Sequence, residues 1–179
     1  MAENIYLVGY RGSGKSTVGR QLAAGLDRPF FDADEVFANQ VGRTIAEFVE
    51  EHGWEEFRRR ESAILQKLSR RRKIVLATGG GIVLDPENRF LMRSSGLVVW
   101  LKAGFKETCD RLFRDAAGPA QRPPLESGLS LREEIARGLE EREPLYREVA
   151  DLTVAVDRRP PVEIVAEIRA FLDLQNVRP

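Results

Sequence analysis

The stretch LVGYRGSGKSTVG, residues 7–19, decides the architecture. Gly9, Gly14, Lys15 and Ser16 fit the spacing G-x-x-x-x-G-K-[ST]. The run before it, NIYLV (4–8), is apolar enough for a buried strand, and helical periodicity follows from about 16 to 26. A strand, a glycine turn and a helix in that order turn backbone N–H groups inward at an electropositive helix start. Such a cradle suits a chain of phosphates: Lys15 reaches the β- and γ-phosphates, and the Ser16 hydroxyl is placed to ligate Mg²⁺. A joint that uses glycine only for close packing is the alternative reading. Motif and flanks together favour a nucleoside triphosphate.

Working outward, short apolar runs alternate with helical patterns. PFFDA (29–33), KIVLAT (73–78), GLVVWL (96–101) and LTVAV (152–156) join the first run as strand candidates. All but PFFDA are near-continuous apolar runs, the pattern of strands covered on both faces. Helices are expected at about 16–26, 35–41, 44–70 (broken near Gly53), 86–95, 105–114 and 130–149, with a last one in PPVEIVAEIRAFLDL (160–174). This alternation implies an α/β fold with a parallel sheet between two helical layers. The 179 residues suffice for one domain with a sizeable core, and no repeat or boundary divides them. RDAAGPAQRPPLESGLS (114–130) interrupts the pattern; a surface connection and a lid are both compatible with it.

Composition narrows the function classes. Lys plus Arg and Asp plus Glu number 28 each, so no global field draws the chain to nucleic acid or an anionic membrane. The basic run RRRK (70–73) reads as a solvated helix end. One cysteine, Cys109, excludes an intrachain disulfide, and one histidine, His52, argues against a His/Cys zinc site. With no basic, apolar leader in MAENIYLVG and no window approaching eighteen apolar residues, a cytoplasmic setting is expected.

Three further stretches carry chemistry. In FFDADE (30–35), Asp32 and Asp34 share a side if the strand stays extended, at the carboxyl end where ligands of open sheets collect. One carboxylate would hold Mg²⁺ and the other accept the proton of an attacking hydroxyl; Asp34 as a helix cap competes with the second role. In WEEFRRRESAILQKLSRRR, Arg58 and Glu61 fall inside the apolar stripe, whereas Arg59 and Arg60 point away. A mutual Arg58–Glu61 pair and an anion-binding Arg58 both satisfy that placement. The same projection puts Arg142 of LREEIARGLEEREPLYREVA among Leu131, Ile135, Leu145 and Val149, with Pro144 as a source of kinking. Two inward arginines suit a carboxylate or phosphate on a small substrate. TGGGI (78–82) ends the third strand without the aspartate common there in phosphate-loop proteins, leaving the metal to Asp32. Its glycines fit either a close approach to a ligand or a permissive turn.

In this order, GYRGSGKSTVGRQLA (9–23), FFDADE (30–35), EEFRRRES (55–62), TGGGIV (78–83), RPPL (122–125) and REPLYREVAD (142–151) resemble the shikimate kinase family over almost the whole chain. The resemblance implies a three-layer α/β/α kinase fold with a five-stranded parallel sheet, order 2-3-1-4-5, and one domain over 1–179 with a lid at about 114–130. It also implies ATP-dependent phosphorylation of the shikimate 3-hydroxyl. By matching motif, Gly12, Ser13, Gly14, Lys15, Ser16 and Thr17 would cradle ATP, and Ser16 with Asp32 would hold Mg²⁺. Asp34 would bind the acceptor hydroxyls and act as base. Arg58 and Arg142 would clamp the carboxylate, and Gly80 and Gly81 would contact substrate. Lys15 and the lid's Arg122 would face the transferring phosphoryl group. Arg111 or Arg114 would flank adenine on one side, and Arg158 or Arg159 on the other. The lid departs from the family in reading RPPL where Arg-Pro-Leu-Leu is common, and in its length. A monomer with shikimate as its partner, and neither nucleic acid nor membrane, is the corresponding expectation. Another small-molecule kinase, for gluconate or a nucleotide, is the near rival. A nucleotide-dependent switch is the distant one, and the chain lacks the Asn-Lys-x-Asp motif of guanine readers.

Overall fold

The computed structural model describes residues 4–114 and 129–177. Five parallel strands, β1 (Asn4–Val8), β2 (Phe30–Asp32), β3 (Val75–Ala77), β4 (Gly96–Lys102) and β5 (Leu152–Ala155), form one sheet in the order β2-β3-β1-β4-β5. That is the order the resemblance implies. The register places Leu7 beside both Ala77 and Val99, and because the strands are parallel their carboxyl ends face one edge, with β4 and β5 running on past the end of β1.

β1 is buried along its whole length and feeds two cores by the alternation of its side chains. Ile5 and Leu7 pack with Val18 and Leu22 of α1 (Lys15–Gly25) and Ile164 and Ile168 of α7 (Pro161–Val177). Tyr6 and Val8 pack on the opposite face with Phe37, Phe57, Leu65 and Tyr146. Those come from α2 (Ala33–Val41), α3 (Ile45–Ser69) and α6 (Leu131–Val149); α4 (Pro86–Ser95) adds Met92. Each fully buried Leu or Phe contributes about 1.5–3 kcal/mol relative to exposure. α5 (Phe105–Arg114) lies beside α6, where Leu112, Ile135 and Leu139 enclose Tyr10.

Local chemistry sets the helix boundaries. Thr44 and Glu47 form a capping box at α3, as Ser130 and Glu133 do at α6. Asp85 caps α4, whose first residue is Pro86. α3 breaks where expected, at Gly53, which has φ 79° and ψ 168°. Pro144 sits inside α6, and the helix continues through it to Val149. The run 70–73 turns from α3 into β3, with the Arg71 guanidinium over the Phe31 ring.

Two expectations change. β2 does not stay extended through Asp34: it stops at Asp32, and Asp34 lies in the first turn of α2. The capping aspartate is Asp32, not Asp34, because Asp32 Oδ1 accepts the Asp34 backbone N–H at 3.0 Å. β5 is not covered on both faces: Thr153 and Ala155 are exposed while Val154 is buried, as an edge strand permits. Most of the 114–130 segment, Arg122 included, lies outside the described residues.

Candidate active site

The site occupies the carboxyl edge of the sheet. After β2 and β3 have been laid on one side of β1, the chain crosses to build β4 and β5 on the other. Clefts form at such crossings. A cavity of about 660 Å³ opens there, lined by Gly12 to Thr17, Asp32, Asp34 and Gly80 among others.

The glycine loop is shaped for an anion. Gly9, Gly12 and Gly14 have φ of 145°, 77° and 88°, conformations that side chains disfavour. α2, α3, α4 and α6 each have a side chain capping their N-terminal amides. α1 has none: its N-cap is Gly14, and its first turn holds no acid. Those amides face the cavity, where phosphate oxygens would satisfy them. The Lys15 ammonium donates to the Gly9 and Tyr10 carbonyls at 2.7 and 2.9 Å, which holds it over the loop.

A hydrogen bond ties the start of α1 to the end of β2. The Ser16 hydroxyl donates to Asp32 Oδ2 at 2.5 Å. A hydroxyl and a carboxylate oxygen beside a phosphate cradle fit Mg²⁺, which takes few protein ligands and fills its shell with phosphate and water. The carboxylate of Asp34 points toward the turn after β3, so that a Cβ at Gly79 would lie 3.5 Å from its Oδ1.

That turn does not use its three glycines for a permissive backbone conformation. None has a left-handed φ. Each instead gives up its Cβ to a neighbour: Gly79 to the Glu61 carboxylate, Gly80 to the Arg11 backbone N at 3.3 Å, and Gly81 to the Arg58 guanidinium. The Tyr146 hydroxyl donates to the Gly80 carbonyl at 2.5 Å, and burial pushes that phenol well above its usual range, so it remains a donor. If Arg58 binds an acceptor, Gly81→Ala, which displaces it, raises the acceptor KM by about tenfold, the loss of one charged contact, with kcat changed less. Steady-state kinetics checks this.

Arg58 and Arg142 line a second cavity of about 590 Å³, with Trp54 and Glu134. Arg58 Nη1 donates to Glu61 Oε2 at 2.6 Å, and Glu61 is only 4% exposed. The mutual pair and the inward arginine thus coexist; Arg59 and Arg60 instead meet Glu56 at the surface. Arg142 is 6% exposed, its guanidinium 5.4 Å from the Tyr10 ring centre. Glu141 is 3.8 Å from its Nε, a loose ion pair, and among the described residues that buried Nε has no hydrogen-bond acceptor. A buried guanidinium with an unmatched N–H is costly unless a ligand completes it.

On the far side, Arg111 is tied down: it donates to Glu107 at 2.8 Å, the Gly12 carbonyl at 3.1 Å and the Val156 carbonyl at 3.2 Å. Arg114 also lines the first cavity. Arg159 lines it too, whereas Arg158 is exposed at φ 56° and does not. Sequence reasoning passed over Tyr10, Arg11 and Glu134. Arg11 sits in the motif's free positions, and the only local signal for Glu134 is its i−8 spacing from Arg142.

Known proteins are similar to this chain in sequence and fold. A family model described as shikimate kinase matches residues 11–173. A shikimate kinase of Thioalkalivibrio sulfidiphilus is 45% identical over 173 residues, covering 97% of this chain and 88% of that protein. A shikimate kinase 2 of Escherichia fergusonii is 42% identical, covering 99% of this chain and 96% of that protein. The solved shikimate kinase of Acinetobacter baumannii, in complex with shikimate, superposes with a TM-score of 0.91 at 35% identity, covering 99% and 97% of the two chains. A gluconokinase of Sinorhizobium meliloti shares the fold, with a TM-score of 0.59 at 22% identity. With a family model over residues 11–173, relatives above 40% identical over nearly the whole chain and a solved member superposing at a TM-score of 0.91, the chain belongs to the shikimate kinase family.

Proposed function

We propose that this chain transfers the γ-phosphoryl group of ATP to the 3-hydroxyl of shikimate, giving shikimate 3-phosphate and ADP on the route to chorismate and the aromatic amino acids. One observation carries the choice of acceptor: the buried Arg142 Nε, without a hydrogen-bond acceptor among the described residues, in a cavity it shares with Arg58. A carboxylate there accepts from both guanidinium groups, whose planar forks match its two oxygens. The ring hydroxyls are then held toward Asp34 and the Gly80 turn, at the mouth of the phosphate cavity.

ATP lies along the glycine loop with its phosphates on the N-terminus of α1. Ser16 and Asp32 are the residues that would hold Mg²⁺. Bound there, the ion would neutralise charge on the phosphate oxygens. Asp34 orients the attacking hydroxyl and accepts its proton as the new P–O bond forms and the bond to ADP breaks. Lys15 follows the charge on the transferring group, so positioning and electrostatics do most of the work. Arg122 would join from the lid. Arg122→Ala is expected to lower kcat by about 10²-fold or more while the KM for ATP changes little. An unchanged kcat removes that arginine from the mechanism.

A monomer whose partner is a small molecule, with neither nucleic acid nor membrane, is the matching reading for a chain whose Lys plus Arg and Asp plus Glu balance at 28 each. A cytoplasmic enzyme is the matching setting; among the described residues no helix is long and apolar enough to cross a membrane. The test is an ADP-release assay with shikimate, gluconate and nucleoside monophosphates as acceptors. Turnover with shikimate alone supports the proposal. Turnover with another acceptor in its place, or none, refutes it.

A further inference from the structure

The two cavities are joined by a contact within the chain. Arg11, in the glycine loop, lines the phosphate cavity, and Glu134, in the first turn of α6, lines the acid cavity. Arg11 Nη2 meets Glu134 Oε1 at 2.5 Å, with the two side chains 16% and 6% exposed. Beside this pair, the Tyr10 hydroxyl lies 3.4 Å from the Glu134 carbonyl. The Tyr10 ring fills the space above Gly138, where a Cβ would fall 2.6 Å from the hydroxyl oxygen. Its ring centre is 5.9 Å from the Arg11 guanidinium carbon and 5.4 Å from that of Arg142.

Glu134, Gly138 and Arg142 stand at i, i+4 and i+8, on one face of α6. Two consecutive loop residues therefore grip the same face that presents the acid-binding arginine. A buried ion pair is poor value for stability alone, but it fixes a register, and here it fixes the loop against the helix.

We propose that Tyr10 and Arg11 are positioning residues: the Arg11–Glu134 pair and the Tyr10 seat on Gly138 hold the phosphate loop and the arginine helix in register. Occupation of either cavity then prepares the other. The inference rests on the acid occupying the Arg58–Arg142 cavity. By linkage, the factor by which shikimate raises nucleotide affinity equals the factor by which nucleotide raises shikimate affinity.

Calorimetry on the full chain, with MgADP and shikimate as the probes, measures that factor. In the unsubstituted protein, saturating shikimate is expected to tighten MgADP binding by about fivefold or more. Glu134→Gln and Arg11→Gln should each reduce the factor to about twofold or less, and the double variant should add nothing to either single change. Arg11→Lys, which keeps the charge without the fork, should recover part of it. A structural role alone would alter thermal stability but leave the ratio intact. The proposal is overturned if the unsubstituted protein has no such factor, or if Glu134→Gln retains it in full. Should Arg11→Gln fail to fold, Glu134→Gln and Arg11→Lys decide the matter. Shikimate binding without nucleotide, compared between the unsubstituted protein and Arg142→Met, tests the acid site separately.

Discussion

Asp34→Asn is expected to lower kcat by about 10²- to 10⁴-fold, the usual worth of a positioned general base, with smaller changes in either KM. Asparagine keeps the size and can still accept a hydrogen bond from a ring hydroxyl, but it cannot take the proton. The substitution leaves the start of α2 capped. The cap of α2 is supplied by Asp32 through the Asp34 backbone, which asparagine leaves in place. Single-turnover measurement of phosphoryl transfer checks the effect without interference from product release. A rate within about threefold of the unsubstituted enzyme would assign the proton to solvent or phosphate instead.

Arg142→Met should act in opposite directions on stability and on substrate binding. In the free protein the guanidinium is buried with one N–H lacking an acceptor among the described residues, so an apolar chain of similar length should leave the melting temperature unchanged or raise it. With the acid bound, the same change removes a desolvated charge contact of about 2–4 kcal/mol, on the order of 30- to 1,000-fold in the KM for shikimate. The KM for ATP should stay close to its normal value. Melting curves and steady-state kinetics on one preparation read both effects. Loss of stability with an unchanged acceptor KM would make Arg142 a structural residue.

The glycine loop was legible because its signal is local: motif, preceding strand and following helix fall within some twenty residues. Arg58 and Arg142 were legible for another reason. Helical periodicity places a charge on a buried face, and a buried charge needs an explanation wherever the helix packs. The end of β2 was not legible, since extended propensity in Phe30 and Phe31 says nothing about which aspartate turns to cap the next helix. The glycines at 79–81 had visible spacing but an invisible cause, because Glu61, Arg11 and Arg58 reach them from elsewhere in the chain. The Arg11–Glu134 pair spans 123 residues of sequence. Arg159 rather than Arg158 lines the phosphate cavity, where Arg158 takes a left-handed φ, and no propensity forecasts that in an arginine.

The most direct measurement of the central claim is the ratio of kcat/KM for shikimate to that for its carboxamide, in the unsubstituted enzyme and in Arg142→Met. If the two guanidinium groups hold the acid while the glycine loop delivers the phosphoryl group, the unsubstituted enzyme prefers the acid by about 10²-fold and the variant loses most of that preference. The same preference in both proteins would mean that the carboxylate is bound elsewhere, and the account would be wrong.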